Sequence, residues 1–175
     1  MTQNQTPRIY VACLAAYNNG KLHGRWIDCD QDANDIWVEI NEMLSNSPEP
    51  DAEEWAIHDF ENWQEIKIDE HESIERIAEL AQLLSEHGKA FALYCEYYGN
   101  DSTLEDFQEH YLGQYKDEED FVYQMWEQDG RLLKLEELGI PESYIDWEAI
   151  ARDWFIDSYF SVEVGYEETY VFSRH

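Results

Sequence analysis

The excess of acidic residues constrains the fold of this chain more than any other feature of its sequence. Its 175 residues include 40 Asp and Glu but only 11 Lys and Arg, so the formal net charge at pH 7 is −29. Charged side chains are almost never fully buried unless they are paired, and too few basic residues are available to pair them. Any fold must therefore leave most of these carboxylates at the surface, where they repel one another.

The aromatic content shows that the chain can nevertheless build a hydrophobic core. It contains 7 Trp, 12 Tyr and 7 Phe residues, which together make up 15% of the sequence. Disordered acidic segments are poor in such residues because they have little apolar surface to bury. We therefore expect a folded protein, organised as one compact unit or as a few small subdomains.

The charge also predicts the kind of partner. Self-repulsion lowers stability and disfavours binding to nucleic acids and anionic membranes, so we expect neither as a partner and instead expect a basic protein surface. A compact chain of this length has a diameter of roughly 40 Å. A DNA duplex with one charge per ~1.7 Å carries about 24 charges over that length, which is comparable to the net charge here. A solubility surface of the halophilic type is the alternative that composition leaves open.

Cysteine usage and hydropathy indicate the compartment. Cys13, Cys29 and Cys95 are odd in number and lack the spacing of a metal or redox motif, which favours free thiols in a reducing cytoplasm. The longest apolar run, residues 9–17, is too short to span a bilayer. We therefore expect a cytoplasmic protein.

The first third of the chain has the pattern of a small α+β unit. Apolar residues over 9–15 predict a buried strand, and the Asn18-Asn19-Gly20 sequence predicts a hairpin turn to an antiparallel partner over 21–28. Residues 32–44 have helical periodicity. Asp51 and Glu54 resemble the capping box of a short helix through His58, and residues 64–68 are predicted as a third strand.

The remainder is predicted to be mainly helical. Helices are expected over 71–87, where Gly88 is a stop signal, then over 89–98, and from a Thr103 cap to Tyr111. Two more are expected over 117–126 and 146–159, before a terminal strand at 166–172. The predicted fold class is α+β, with three small subdomains. These are residues 1–69 (antiparallel sheet plus helix), 70–112 (helical) and 113–175 (α+β).

Acidic residues are concentrated in the middle of the chain. Residues 51–75 contain ten acids and one Lys or Arg, and residues 96–137 contain thirteen acids and three. Helical positions three or four apart lie about 5–6 Å from each other, a spacing near that of successive phosphates. One such stripe is typical of an ordinary solvated helix face, but several with so few basic residues predict a shaped negative field. The predicted surface comprises Glu53, Glu54, Asp59, Glu61, Glu72, Glu75, Glu79, Glu86, Asp101, Glu105, Asp106, Glu109, Asp117, Glu118, Glu119 and Asp120.

Evidence for a metal site in the sequence is weak. Asp28, Asp30, Asp32 and Glu39 overlap the EF-hand calcium pattern, but Ala33 replaces the glycine that the loop needs. An acidic helix N-terminus, favoured by the helix dipole, explains this segment better. The pairs Glu54 with His58 and Asp106 with His110 have ligand spacing on a helix, but such coincidences are expected among 40 acids.

Motifs for catalysis are also lacking. The sequence contains no P-loop, dinucleotide-binding glycine motif or nucleophile elbow, and its cysteines have no recognisable nucleophile context. We therefore expect no catalytic residues, no metal and no cofactor. An acidic metalloenzyme or calcium binder is kept as an alternative that metal analysis would test.

Several segments, in order along the chain, resemble the ArdA-type antirestriction proteins. The most specific is residues 9–28, IYVACLAAYNNGKLHGRWID. Others are residues 53–59, EEWAIHD, then 111–115, YLGQY, with 119–121, EDF, and 141–153, PESYIDWEAIARD. Residues 138–153 are similar to the antirestriction motif of that family, which lies near its dimer interface.

The resemblance implies an elongated, curved α+β protein of three subdomains that dimerises through its C-terminal part. Such a dimer would carry twice the charge of one chain, equal to that of a duplex about 100 Å long. It would occupy the DNA groove of a type I methyltransferase core. The residues that the motif places near the dimer interface are Leu138, Pro141, Tyr144, Ile145, Asp146, Trp147 and Glu148. An acidic module for another basic protein, of the nucleoid type, is the alternative.

Overall fold

A computed structural model describes residues 6–99 and 101–174. Within these residues, seven α-helices accompany two three-stranded antiparallel sheets, so the predicted α+β class is confirmed. The chain divides into two compact units, Met1–Ser102 and Thr103–His175. The finer division at residues 69 and 112 stays a prediction, as does the elongated shape.

The first unit is a sheet packed against one helix, which in turn packs against a second, longer helix. Its elements are β1 (Arg8–Cys13), α1 (Leu14–Asn18), β2 (Gly24–Asp28), α2 (Ala33–Ser45), β3 (Trp55–Glu61) and α3 (Ile74–Tyr98). β1 is the central strand, in the order β2-β1-β3, and α2 packs against β1, β2 and α3. Ile9, Val11 and Cys13 of β1 are fully buried, as are Ile36 and Ile40 of α2.

Local signals set the bounds of α3. Ser73 caps it by accepting a hydrogen bond from the backbone N–H of Arg76. The helix is interrupted at Gly88, whose φ of +60° is strained for any residue with a side chain. The predicted pair of helices separated at Gly88 is therefore confirmed.

The second unit has its own sheet and core. Its elements are α4 (Leu104–His110), β4 (Tyr111–Tyr115), α5 (Glu118–Gln128), α6 (Arg131–Leu138), a short 3₁₀ helix (Glu142–Tyr144), α7 (Trp147–Asp157), β5 (Tyr159–Gly165) and β6 (Glu168–Ser173). β6 is central, in the order β4-β6-β5. The core is built around Phe121, Val122, Ala151 and Val171. The ring centroid of Phe121 lies 5.0 to 6.2 Å from the ring centroids of Tyr115, Trp154, Phe155 and Tyr159.

Two predictions for the first unit were wrong. The segment assigned to a short helix after Asp51 contains β3, and residues 64–68 form no strand. β1 has an open edge, and pairing Ala56 and Ile57 against it buries both side chains, which outweighs one local capping signal. The predicted hairpin is also modified, since β1 and β2 pair antiparallel but are joined through α1.

The other predicted helices α2, α4, α5 and α7 are present, as is the terminal strand β6. β4, α6 and β5 were not predicted. None of the helices in the described ranges is both long and apolar enough to cross a bilayer.

Candidate functional site

The sixteen predicted carboxylates lie on β3, α3, α4, α5 and the loops beside them. Thirteen of these residues are exposed, and Glu72, Glu118 and Asp120 are half-buried. Both units carry them. Residues 1–102 contain 21 acids against six Lys and Arg, for a net charge of −15, and residues 103–175 contain 19 against five, for −14.

Some of these carboxylates hold helix N-termini in place. Thr103 and Asp106 form a reciprocal capping box at α4, with distances of 3.1 and 3.2 Å. Asp117 caps α5 by accepting a 2.7 Å hydrogen bond from the backbone N–H of Asp120. The Asp120 carboxylate in turn accepts from the backbone N–H of Lys116. Since the N-terminal end of a helix dipole is positive, these positions offset part of the mutual repulsion.

A second group takes part in side-chain contacts. Glu61 is 3.0 Å from Arg8, and Glu79 is 3.0 Å from Arg76. Hydrogen bonds from its own backbone N–H, from the Trp37 indole and from Ser73 hold the pKa of Glu75 below its ordinary value. The Glu75 side chain, which links α3 to α2, therefore stays ionised at neutral pH.

A third group is available to an external cation. Its side chains form no hydrogen bond or ion pair with another residue in the described part of the chain. The group consists of Glu53, Glu54, Glu72, Asp101, Glu105, Glu109 and Glu119. We call these the open carboxylates. Since no side-chain hydrogen bond or ion pair among the described residues uses them, they are the members of the predicted surface whose charge is least committed to folding.

Several basic residues are neutralised locally. Arg8 is 3.4 Å from Asp28, Lys21 is 2.7 Å from Glu49 and Arg25 is 3.0 Å from Glu42. Arg131 lies 3.2 Å from Asp129 and also covers the rings of Trp126 and Trp154. These positive charges therefore subtract from the field of the acids that they contact.

Residues 138–153, which resemble the antirestriction motif and are called the motif segment below, have some side chains exposed to solvent and others packed inward. Leu138 is 71% exposed and Tyr144 is 78% exposed. Pro141 and Glu148 are exposed too, and Ile145 is half-buried. Trp147 packs inward on Tyr123 and Trp126, with ring centroids 5.3 and 5.1 Å apart, and Asp146 caps α7 through the backbone N–H of Ala149. The segment thus anchors α7 while presenting apolar side chains to solvent.

The acidic stretch considered for calcium has local partners. Asp28 pairs with Arg8, and Glu39 accepts a 2.5 Å hydrogen bond from Gln31. Asp32 lies at the start of α2, so the helix begins inside the span that a calcium loop would occupy. Across residues 6–99 and 101–174, no group of three His, Cys, Asp or Glu residues is arranged to hold a metal ion.

The cysteines are buried and free. Burial raises the pKa of Cys29 to about 12 and that of Cys95 to about 11. Both thiols are therefore protonated at neutral pH, and the nucleophilic form is the thiolate. Of the two acid–histidine pairs, Glu54 and His58 do not share a helix, because His58 lies on β3.

The fold and these side chains define a small, strongly acidic α+β protein. A family model described as antirestriction protein (ArdA) matches residues 9–168, which is nearly the whole chain. Comparison with curated protein sequences finds no significant match. The chain therefore belongs to the ArdA antirestriction family, and its function is antirestriction, directed at restriction-modification enzymes.

Proposed function

We propose that this protein mimics the charge of B-form DNA and competitively occupies the DNA-binding groove of type I restriction-modification enzymes. The observation that carries the proposal is the set of open carboxylates. They occur in both units, before β3, before α3, in the segment that precedes α4, and on α4 and α5. Proteins that bind duplex DNA derive much of their affinity from Lys and Arg contacts to phosphates. The same cations can be satisfied by carboxylates.

The mechanism needs no reading of bases. Phosphate contacts position a protein on DNA and carry no sequence information directly. An inhibitor that replaces only those contacts should therefore act on target enzymes regardless of their recognition sequences. It should block restriction, and it should block modification as well only where that reaction requires DNA in the same groove.

Rigid placement of the charges supports the proposal. Glu105 and Glu109 lie on α4, which is held by its capping box, and Glu119 lies in the first turn of α5. The backbone at these positions needs little further ordering on binding, so the entropy that is lost comes from the Glu side chains alone. Less of the interaction free energy is then spent on loss of conformational entropy.

We further propose that the protein acts as a homodimer formed through the motif segment. No residue of α6 is buried. An open groove of about 410 Å³ beside it is lined by Leu132, Leu133, Leu135, Ile140 and Pro141 among others. Burying an exposed side chain of leucine size is worth about 1.5–3 kcal/mol, so a second copy that covers this surface would gain stability from each.

Cleavage of unmodified DNA by a purified type I enzyme tests the proposal. We expect stoichiometric amounts of the protein to abolish cleavage at low salt. Excess DNA should relieve the inhibition, and so should added salt, because screening weakens contacts between exposed charges. Undiminished cleavage by several type I enzymes would contradict the proposal. Inhibition that does not change with salt concentration would indicate apolar docking instead.

A neutralised variant tests the role of the open carboxylates. In it, each Glu of the set is changed to Gln and Asp101 is changed to Asn. Because these side chains have no partners among the described residues, we expect the variant to fold and to lose inhibition.

A parallel mixing experiment with a basic nucleoid protein tests the alternative function, that of an acidic module for another basic protein. Binding there at equal ionic strength, without inhibition of any type I enzyme, would favour a general acidic module.

A further inference from the structure

A β-bulge in β3 shapes a second kind of site in the first unit. Tyr10 of β1 lies opposite Asp59, and Val11 lies opposite Ile57, so His58 is an extra residue in the ladder. A bulge redirects a side chain that would otherwise follow the strand alternation. The ring of His58 packs edge-on against Tyr17, with centroids 4.8 Å apart and planes at 75°.

The bulge borders an open depression of about 560 Å³ with aromatic walls. Tyr17 is 54% exposed and Phe60 is 37% exposed, and both line it. Tyr17 reaches this position because α1 replaces a tight hairpin between β1 and β2. Two aromatic faces are therefore presented to solvent at the edge of the sheet.

Two carboxylates complete the depression. Asp59 uses one oxygen to accept a 2.8 Å hydrogen bond from the backbone N–H of Phe60, so its second oxygen is available. Glu70 is exposed, and its Oε1 lies 3.9 Å from Nε2 of His58, beyond hydrogen-bond distance. Among the described residues that line the depression there is no Lys or Arg. The site thus joins aromatic surface to negative charge.

Two other depressions in the described part of the chain lack this combination. The groove beside the start of α2 is lined by acids including Asp30, Asp32 and Glu79, without an aromatic residue. The groove beside α6 combines leucines with acids and also lacks an aromatic residue. Carboxylates alone suit any cation, whereas carboxylates beside aromatic faces discriminate between cations.

We infer that this depression is a receptor for an arginine side chain of the basic partner. A guanidinium group is planar and weakly hydrated, so it stacks on aromatic rings while donating two parallel hydrogen bonds to a carboxylate. Tyr17 and Phe60 supply the faces, and Asp59 and Glu70 supply the acceptors. A lysine ammonium is compact and strongly hydrated, and it would gain less here. The inference rests on the proposed function only in assigning the arginine to the DNA groove of a restriction-modification enzyme.

The receptor is tested first without any enzyme, by titrating the full chain with N-acetylarginine amide and following the ring signals of Tyr17 and His58 by NMR. We expect saturable shifts, with binding up to about fivefold tighter than for the lysine analogue, because the guanidinium adds ring stacking and a second hydrogen bond to the cation–π contact that both cations can make. The uncharged norleucine analogue should give no saturable shift. Equal binding of the arginine and lysine analogues, or shifts spread over acids elsewhere, would overturn the inference.

Substitutions at Tyr17 test whether the arginine preference depends on the aromatic ring rather than on the stability of the fold. Tyr17→Leu removes the aromatic face but keeps apolar packing, and it should lose the arginine preference. Tyr17→Phe keeps the face and should retain that preference. Leu22→Ala is the matched control, because Leu22 is 91% exposed and does not line the depression. Retention of the preference in Tyr17→Leu, or its loss in Leu22→Ala, would contradict the assignment.

The link to the target is tested by inhibition of a type I enzyme. Tyr17→Leu leaves the net charge unchanged, and we expect it to weaken inhibition about two- to fivefold, as loss of a cation–π contribution of about 0.5–1 kcal/mol implies. If the wild-type chain inhibits and Tyr17→Leu inhibits equally well, the arginine does not come from that enzyme. If the wild-type chain fails to inhibit, the proposed function fails, and the amide titration still decides whether the receptor exists.

Discussion

The two compact units carry almost the same net charge, −15 and −14, but they bury their apolar residues differently. In the first unit, buried side chains come from all three strands and from both long helices. In the second, α6 contributes none. Four large apolar residues of the second unit, Leu133, Leu138, Ile140 and Tyr144, are exposed within one short stretch.

This difference shows that two units of nearly equal net charge can differ in how their exposed apolar residues are distributed. Exposed apolar residues of the first unit, such as Leu22, Val38 and Tyr97, are far apart in sequence and lie in the loop before β2, on α2 and on α3, respectively. Scattered residues of that kind are normal in soluble proteins, whereas a concentrated patch indicates an interaction surface. Acidic residues are therefore common to both units, whereas the concentrated exposed apolar residues, which the proposed homodimer would cover, belong to the second.

The largest expected effect comes from comparing the two cores. Phe91 in α3 and Phe121 in α5 are both fully buried. Replacement of either by Ala should lower the free energy of unfolding by about 3–5 kcal/mol, because the cavity left behind cannot be refilled. Hydrogen exchange should show the loss within 6–99 for Phe91→Ala and within 103–174 for Phe121→Ala. Loss of protection throughout the chain in both variants would show that the units unfold together.

The next effect concerns the apolar surface beside α6. Leu138→Ala should raise the dissociation constant of the homodimer about tenfold, since it removes roughly 1.5 kcal/mol or more of apolar burial. Sedimentation velocity measures this directly. Leu22→Ala in the first unit is the control, because Leu22 is the more exposed of the two leucines. Equal dissociation constants for both variants would place the dimer interface elsewhere.

Helix capping gives a smaller contrast. Ser73 caps the long α3, whereas Thr103 caps α4, in which only Phe107 is buried. Each change to Ala should cost about 1 kcal/mol locally. Since few packed side chains hold α4, we expect faster amide exchange over 104–110 in Thr103→Ala than over 74–80 in Ser73→Ala. Comparable exchange at both sites would mean that α4 is held by contacts other than its cap.

The smallest effect should come from a single charge. Glu105→Gln in the second unit and Glu54→Gln in the first should each weaken inhibition about fivefold at most, because one exposed ion pair contributes about 0.2–1 kcal/mol. Each should also make the inhibition slightly less sensitive to added salt, because one screened contact is lost. If either single change abolished inhibition, the field would be concentrated at that residue rather than distributed over both units.

Local signals in the sequence predicted much of the fold. α2, α4, α5 and α7 combine an N-terminal cap residue with helical periodicity, and both signals depend only on neighbouring residues. β4 was missed because it is short and includes Gly113 at a φ of +118°. α6 was missed because its leucines were not recognised as a helical face, and in the structure none of them is buried.

The candidate site was predictable only in part. The positions of the carboxylates follow from the sequence, and their exposure follows from the cost of burying unpaired charge. The division into capping, paired and open carboxylates depends on which side chains the fold brings together. The depression at Tyr17 could not be predicted at all, because it requires the bulge at His58 and the helical turn of α1.

The sequence by itself determined the acidity of the surface-forming residues, the α+β class and the family resemblance, because charge and local periodicity are read from adjacent residues. Only the tertiary structure decided that Trp55–Glu61 is a strand rather than a helix and that Tyr17 meets His58. It also decided that α6 leaves its leucines unburied. The physical reason is that strand pairing and burial depend on partners distant in sequence, and a free strand edge or an uncovered face exists only once the rest of the chain has folded.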